Sequence, residues 1–115
     1  VRFVCLRVKL NANCRNVLRE EGLLGCFEER CLKPLPVVCV PEAGSCNGCG
    51  GPCTPLSDVS KRVFLQPLGL QEGICGSLNN TMAHEMGHMC GIGADVFHPS
   101  NLKRANRVAT ACGGE

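Results

Sequence analysis

Eleven cysteines in 115 residues constrain this chain more than any other feature of its sequence. Thiols at that density belong to chains that close them into disulfides in an oxidising compartment, where covalent ties replace part of the hydrophobic core. The rest of the composition agrees. There is no Trp, no Tyr and only four Phe, so Leu, Val and Cys must supply the apolar interior. A chain of this length is expected to form one domain with a modest core. At least four disulfides are expected, and the odd count leaves one thiol to stay free, to pair between chains or to bind metal. The cysteines alone point to a secreted, extracellular protein. The first residues, from Val1, show neither an initiator Met nor a signal-peptide apolar region, which reads as a processed chain or a fragment.

Charge narrows the partners. Twelve basic against ten acidic residues give a formal net charge of +2, too balanced for a nucleic-acid binder, and no aromatics interleave with the basic residues near the two ends. The apolar runs, such as Leu35 to Val40, are far too short to span a bilayer. Neither a nucleic-acid partner nor a membrane span is expected; a protein or peptide substrate enters only with the catalytic reading below.

Along the chain, residues 1–57 form a cysteine- and proline-rich part and residues 58–115 a second part of the same single domain. Phe3, Cys5 and Arg7 alternate with Val4, Leu6 and Val8, which predicts a short strand. Asn11 to Asn13 read as a turn. Residues 14 to 31 predict one helix, broken at Gly22 or Gly25. Val37 to Val40 and Val63 to Leu65 predict strands, and Cys46 to Cys53 a cysteine-held loop. Cys46, Cys49 and Cys53 have metal-ligand spacing, but with so many other cysteines nearby disulfides are the better reading. A short basic helix is expected around Leu102 to Val108. The clearest helix runs from about 79 to 91, capped by Asn79 or Asn80 and ended by Gly91 and Gly93. Asn79-Asn80-Thr81 is also a glycosylation sequon.

That helix carries the chemistry. His84 and His88 stand four apart, which on a helix puts both imidazoles on one face, one turn apart, where they can share one metal ion. Glu85 lies beside them. The pattern His84-Glu85-Met86-Gly87-His88 is the arrangement in which two histidines bind zinc and the glutamate moves protons.

The stretch Thr81-Met82-Ala83-His84-Glu85-Met86-Gly87-His88-Met89-Cys90-Gly91 resembles the active-site helix of the reprolysin (adamalysin) type of metzincin zinc proteases. The resemblance implies that His84 and His88 are zinc ligands and that Glu85 is the catalytic general base. It also makes Gly91 the glycine that turns the chain back toward the metal, and Asp95 the aspartate that follows the third histidine. Ala94 stands where the family has that third histidine, and no methionine follows Met89 to form the family's Met-turn. Asp95 and His98 are the local substitutes as third ligand, with His98 the better match on ligand chemistry. The resemblance covers about fifteen residues.

The sequence thus predicts an α+β fold, a small disulfide-rich domain built around one HExxH helix. The expected function is that of a secreted zinc metalloendopeptidase that hydrolyses internal peptide bonds with a zinc-activated water. Its metal would be held by His84, His88 and His98, with Glu85 catalytic. The alternative is a non-catalytic cysteine-rich binding module or an inactive metalloprotease homologue.

Overall fold

The computed structural model describes residues 2–33, 37–39, 63–65, 77–93 and 98–114. They form helices α1 (Arg2–Leu10), α2 (Ala12–Glu20) and α3 (Leu24–Arg30), strands β1 (Val37–Cys39) and β2 (Val63–Leu65), and helices α4 (Leu78–Met89) and α5 (Pro99–Gly113). The two strands pair in parallel, with Val38 opposite Phe64. At three residues each they are too short to build a sheet layer. Every buried hydrophobic residue of the described core lies in a helix or in the turn that follows one. The body is therefore helical, which overturns the α+β expectation.

The reason begins at α1. The alternation between residues 3 and 8 suggested a strand, but Val4 and Val8 are the residues that go inside, at 0% and 2% exposure, while Phe3, Leu6 and Leu10 stay at the surface. That is the spacing of one helical face. Helix burial overrides the modest β-preference of the valines. Asn11 is not a free turn residue. Its side chain accepts from the Cys14 N–H at 2.9 Å and caps α2. The expected helix over 14 to 31 is two, divided at Gly22, whose φ of +74° is a conformation that favours glycine. There the Gly22 N–H reaches the Arg19 carbonyl and the Leu23 N–H the Leu18 carbonyl, a Schellman closure that drops Leu23 into the core. The proline- and cysteine-rich loop from Cys46 to Cys53 lies outside the described residues.

α4 starts two or three residues earlier than its asparagines suggested. Ser77 is the cap, accepting from the Asn80 N–H at 3.1 Å. Asn80 instead donates from Nδ2 to the Gly114 carbonyl at 2.6 Å, tying the start of α4 to the end of α5. Of the sequon, Thr81 is buried and Asn79 faces the backbone of Gly113. A Cβ on Gly113 would lie 2.6 Å from the Asn80 Cα, so only glycine admits this close crossing. Arg7 of α1 closes the same corner, donating to the Ala111 carbonyl at 2.9 Å, one of the carbonyls a helix end leaves without an intrahelical partner. α5 is longer than expected and buries Ala105, Val108, Ala109, Ala111 and Cys112 against α4, α2 and α1.

Among the described residues three disulfides fasten this body: Cys5–Cys31, Cys14–Cys112 and Cys26–Cys90. Each joins a different pair of elements: α1 to the end of α3, α2 to α5, and α3 to the end of α4. No described helix is long and apolar enough to cross a membrane. The Cys14–Cys112 tie spans 98 residues of sequence, and closing a loop of that size in the unfolded chain is worth about 4.7 kcal/mol in the chain-entropy picture. Both cysteines are fully buried, so the variant that isolates the tie is Cys14→Ala with Cys112→Ala. It should lose about 2–5 kcal/mol in chemical denaturation. A loss below about 1 kcal/mol would show that the helices hold this geometry without the bond.

The polar contacts between α2 and α5 are ionic. Arg104 Nε donates to Glu21 at 2.6 Å and Arg107 reaches both Glu21, at 3.0 Å, and Glu20, at 2.8 Å. The hydrogen bond from Arg104, helped by Arg107, holds the Glu21 carboxyl below its ordinary value of 4.5 against the opposing effect of burial. A depressed folded-state value means that the contribution is present above the ordinary value and lost as pH falls through the lowered one. Glu21→Gln should therefore melt below the parent at pH 7, and the two melting curves should converge as pH drops below about 4.5. A gap that persists in acid would assign the effect to packing.

Candidate metal centre

α4 is buried on most of its surface, with Met82, Ala83, Met86 and Met89 in the core. His84, Glu85 and His88 are half-buried on the remaining face. The four-residue spacing does what the sequence predicted. The two imidazoles meet edge to face with ring centroids 4.9 Å apart, and their Nε2 atoms are separated by 3.1 Å.

The outer nitrogens are held from two directions. His88 Nδ1 lies 3.0 Å from the Ile92 carbonyl oxygen. A backbone carbonyl only accepts, so His88 carries its proton on Nδ1, and in the neutral ring Nε2 presents a lone pair toward His84. His84 Nδ1 lies 3.0 Å from Oδ1 of Asn106 on α5. An amide presents an oxygen or an NH2 group in nearly the same shape, so this contact admits the His84 proton on either ring nitrogen. With that proton on Nε2, His84 donates across the 3.1 Å separation to His88 Nε2.

Zn–N bonds of about 2.0–2.1 Å at a near-tetrahedral angle would place two nitrogens about 3.3 Å apart, a length comparable with the 3.1 Å found here. Histidine ligands usually donate their other ring N–H to an oxygen, and each ring here has an oxygen at its outer nitrogen. The carbonyl end of α4, where His88 stands, also favours a cation.

The Ile92 carbonyl reaches His88 because of how α4 ends. Gly91 has φ +114°. The Gly91 N–H bonds to the His88 carbonyl and the Ile92 N–H to the Gly87 carbonyl at 3.0 Å, a second Schellman closure. Ile92 is buried, and a Cβ on Gly87 would press on its side chain at 3.1 Å. The preceding residue, Cys90, is bonded to Cys26 of α3, which removes it as a thiol beside His88. The glycine assigned to turning the chain thus also orients a ring of the histidine pair.

His98 has a different place. It is the N-cap of α5, ahead of Pro99 at the first helical position. Its Nδ1 accepts from the Ser100 N–H at 3.1 Å and lies 2.7 Å from the Ser100 hydroxyl. Because a backbone N–H only donates, Nδ1 holds the lone pair and the neutral ring carries its proton on Nε2. In this tautomer His98 has no ring lone pair left for a metal. The structure does not bring it to His84 and His88. Among the described residues no three His, Cys, Asp or Glu side chains form a metal-holding group. Ala94 and Asp95 lie outside the described residues.

Asn106 is the residue that sequence reasoning missed. It is 22 positions from His84, on a helix read only as short and basic. It also lines a groove of about 500 Å³ between α2 and α5, beside Asn13, Val17, Lys103, Arg107 and Thr110. Its polar spacing with Lys103 and Thr110 marks one outer face of α5, but nothing in the sequence says which residue of that face meets His84.

No family model, curated protein or solved structure matches this chain. The metzincin resemblance therefore stays an expectation drawn from about fifteen residues of sequence.

The turn after α4 yields its own test. A Cβ at Gly91 would meet nothing within 4 Å, so Gly91→Ala acts through backbone strain, and should cost about 1–3 kcal/mol. It should also loosen the Ile92 carbonyl from His88, seen as faster exchange of the His88 Nδ1 proton by NMR. Unchanged stability and unchanged exchange would separate the turn from the ring.

Proposed function

We propose that the chain is a zinc-dependent metalloendopeptidase that holds its ion through His84 and His88 and uses Glu85 as general base. The observation that carries this reading is the pair of imidazoles on one face of α4, with Nε2 atoms 3.1 Å apart and an oxygen at each outer nitrogen. The glutamate directly after the first histidine, on the same half-buried face, supports the same reading. A catalytic zinc takes three protein ligands as a rule. With His98 committed to capping α5, the third falls to Asp95, the carboxylate next to Ala94. When bound, zinc would supply acidified water and Lewis-acid polarisation of a peptide carbonyl. Glu85 takes a proton from the attacking water and returns it to the leaving amine. The three disulfides support an oxidising, extracellular setting, and a peptide or protein substrate follows from the reaction.

Elemental analysis and a peptidase assay test the reading together. The parent protein should carry one zinc per chain, His84→Ala should lose it, and Asp95→Asn should weaken it. Glu85→Gln should keep the zinc but lower the hydrolysis rate by about 10²–10⁴-fold. Zinc retained by His84→Ala would overturn the site. Stoichiometric zinc at His84 and His88 with no peptidase activity would instead make the chain a non-catalytic cysteine-rich module.

A further inference from the structure

We propose that the outer face of α1 is a docking surface for an anionic lipid membrane, on which the protein lies without crossing it. The inference stands apart from the metal reading and uses none of its residues.

α1 is apolar on two sides. Val4 and Val8 fill the core, while Phe3, Leu6 and Leu10 are 42%, 54% and 68% exposed. At about 100° per residue, the three exposed side chains fall within about 60° of one another and opposite the valines. They form one stripe rather than scattered surface residues. By the same geometry Arg2 and Lys9 border the stripe on one side and Arg7 on the other. The Cys5–Cys31 disulfide ties the end of α3 to this helix. The residue after Cys31 is Leu32, 82% exposed, and Lys33 beyond it is exposed too. Four of the six large hydrophobics exposed among the described residues thus lie on α1 or directly after the cysteine bonded to it. Such a concentration marks an interaction surface.

Charge names the partner. Every charged residue of α1 is basic. Arg7 is engaged, donating to the Ala111 carbonyl and lying 5.6 Å from the centre of the Phe3 ring. Arg2, Lys9 and Lys33 have no ion-pair partner among the described residues. A cationic border around apolar side chains fits a surface that is negative at its headgroups and apolar beneath them. It does not fit a second copy of this chain, whose matching border would bring like charges together. Area points the same way. A nine-residue helix is about 13 Å long and about 10 Å wide, far short of the roughly 800 Å² per partner that a stable protein interface buries. A lipid surface needs no such area, because a few inserted side chains and the field of the headgroups act together. At this length α1 cannot span a bilayer, so it lies in the plane of the headgroups.

Vesicle co-sedimentation of the full, unreduced chain tests this, with mixed phosphatidylserine and phosphatidylcholine vesicles set against phosphatidylcholine alone. The parent should pellet with the anionic vesicles, and less so as salt rises. Leu6→Ser with Leu10→Ser should weaken binding at least about tenfold, since burying one leucine is worth about that factor. Arg2→Glu with Lys9→Glu should also weaken it at least about tenfold. Leu102→Ser, which removes an exposed leucine from α5, should bind like the parent. All five positions are exposed, and unchanged circular dichroism will show that each variant keeps its fold. A parent that ignores anionic vesicles would overturn the proposal. So would equal binding to phosphatidylcholine alone, or an equal loss in Leu102→Ser. A parent that elutes as a dimer in size-exclusion chromatography, and as a monomer once Leu6 and Leu10 are replaced, would assign the face to a second copy and overturn the lipid reading.

Discussion

The turn that ends α4 is the constraint on which the candidate site depends. Cys90, Gly91 and Ile92 act in sequence. The Cys26–Cys90 bond fixes the last turn of α4 to α3, the positive φ of Gly91 reverses the chain, and Ile92 enters the core with its carbonyl aimed back at His88. The apolar burial of Ile92 and the hydrogen bond to His88 are thus two results of one backbone conformation. Loss of either would free the other, because an Ile92 displaced from the core carries its carbonyl with it.

The second ring is held by tertiary packing rather than by its own helix. Asn106 reaches His84 only if α5 lies against α4 at the observed crossing, and that crossing is set at its far end. There Gly113 admits the backbone of Asn79 and Asn80, Asn80 bonds the Gly114 carbonyl, and Cys112 is tied to Cys14 of α2. Arg104 and Arg107 fasten the same helix to α2 along its middle. A chain with little aromatic surface to bury cannot define such a crossing by packing volume alone. Disulfides that close long loops, together with glycine-permitted backbone contact, supply the precision.

What was legible in the sequence was local. The α4 helix, its glycine stop and the shared face of His84 and His88 follow from spacing within one turn of helix, and the structure places them so. The break near Gly22 was legible for the same reason. The misreadings came where two periods fit a short segment. Residues 3 to 8 alternate like a strand, yet Val4 and Val8 also stand one helical turn apart, and burial chose between them. His98 was expected as a ligand because it was the remaining histidine; the structure shows it capping α5, a place that His-Pro-Ser ahead of a basic helix also signals. The pairing of the cysteines and the role of Asn106 depend on which helix faces return to one another across tens of residues, and no local rule carries that information.

The half-burial of the histidine pair decides what the site is suited to. Had His84 and His88 been fully enclosed, a cation between them would bear a desolvation cost that two imidazoles do not offset. Had they been fully exposed, water would satisfy each ring and no particular tautomer would persist. Between these limits the Ile92 carbonyl orients the His88 ring while solvent still reaches the pair. Met82, Met86 and Met89 take up the buried sides of the same helix, so core packing itself turns His84, Glu85 and His88 to a face that stays accessible.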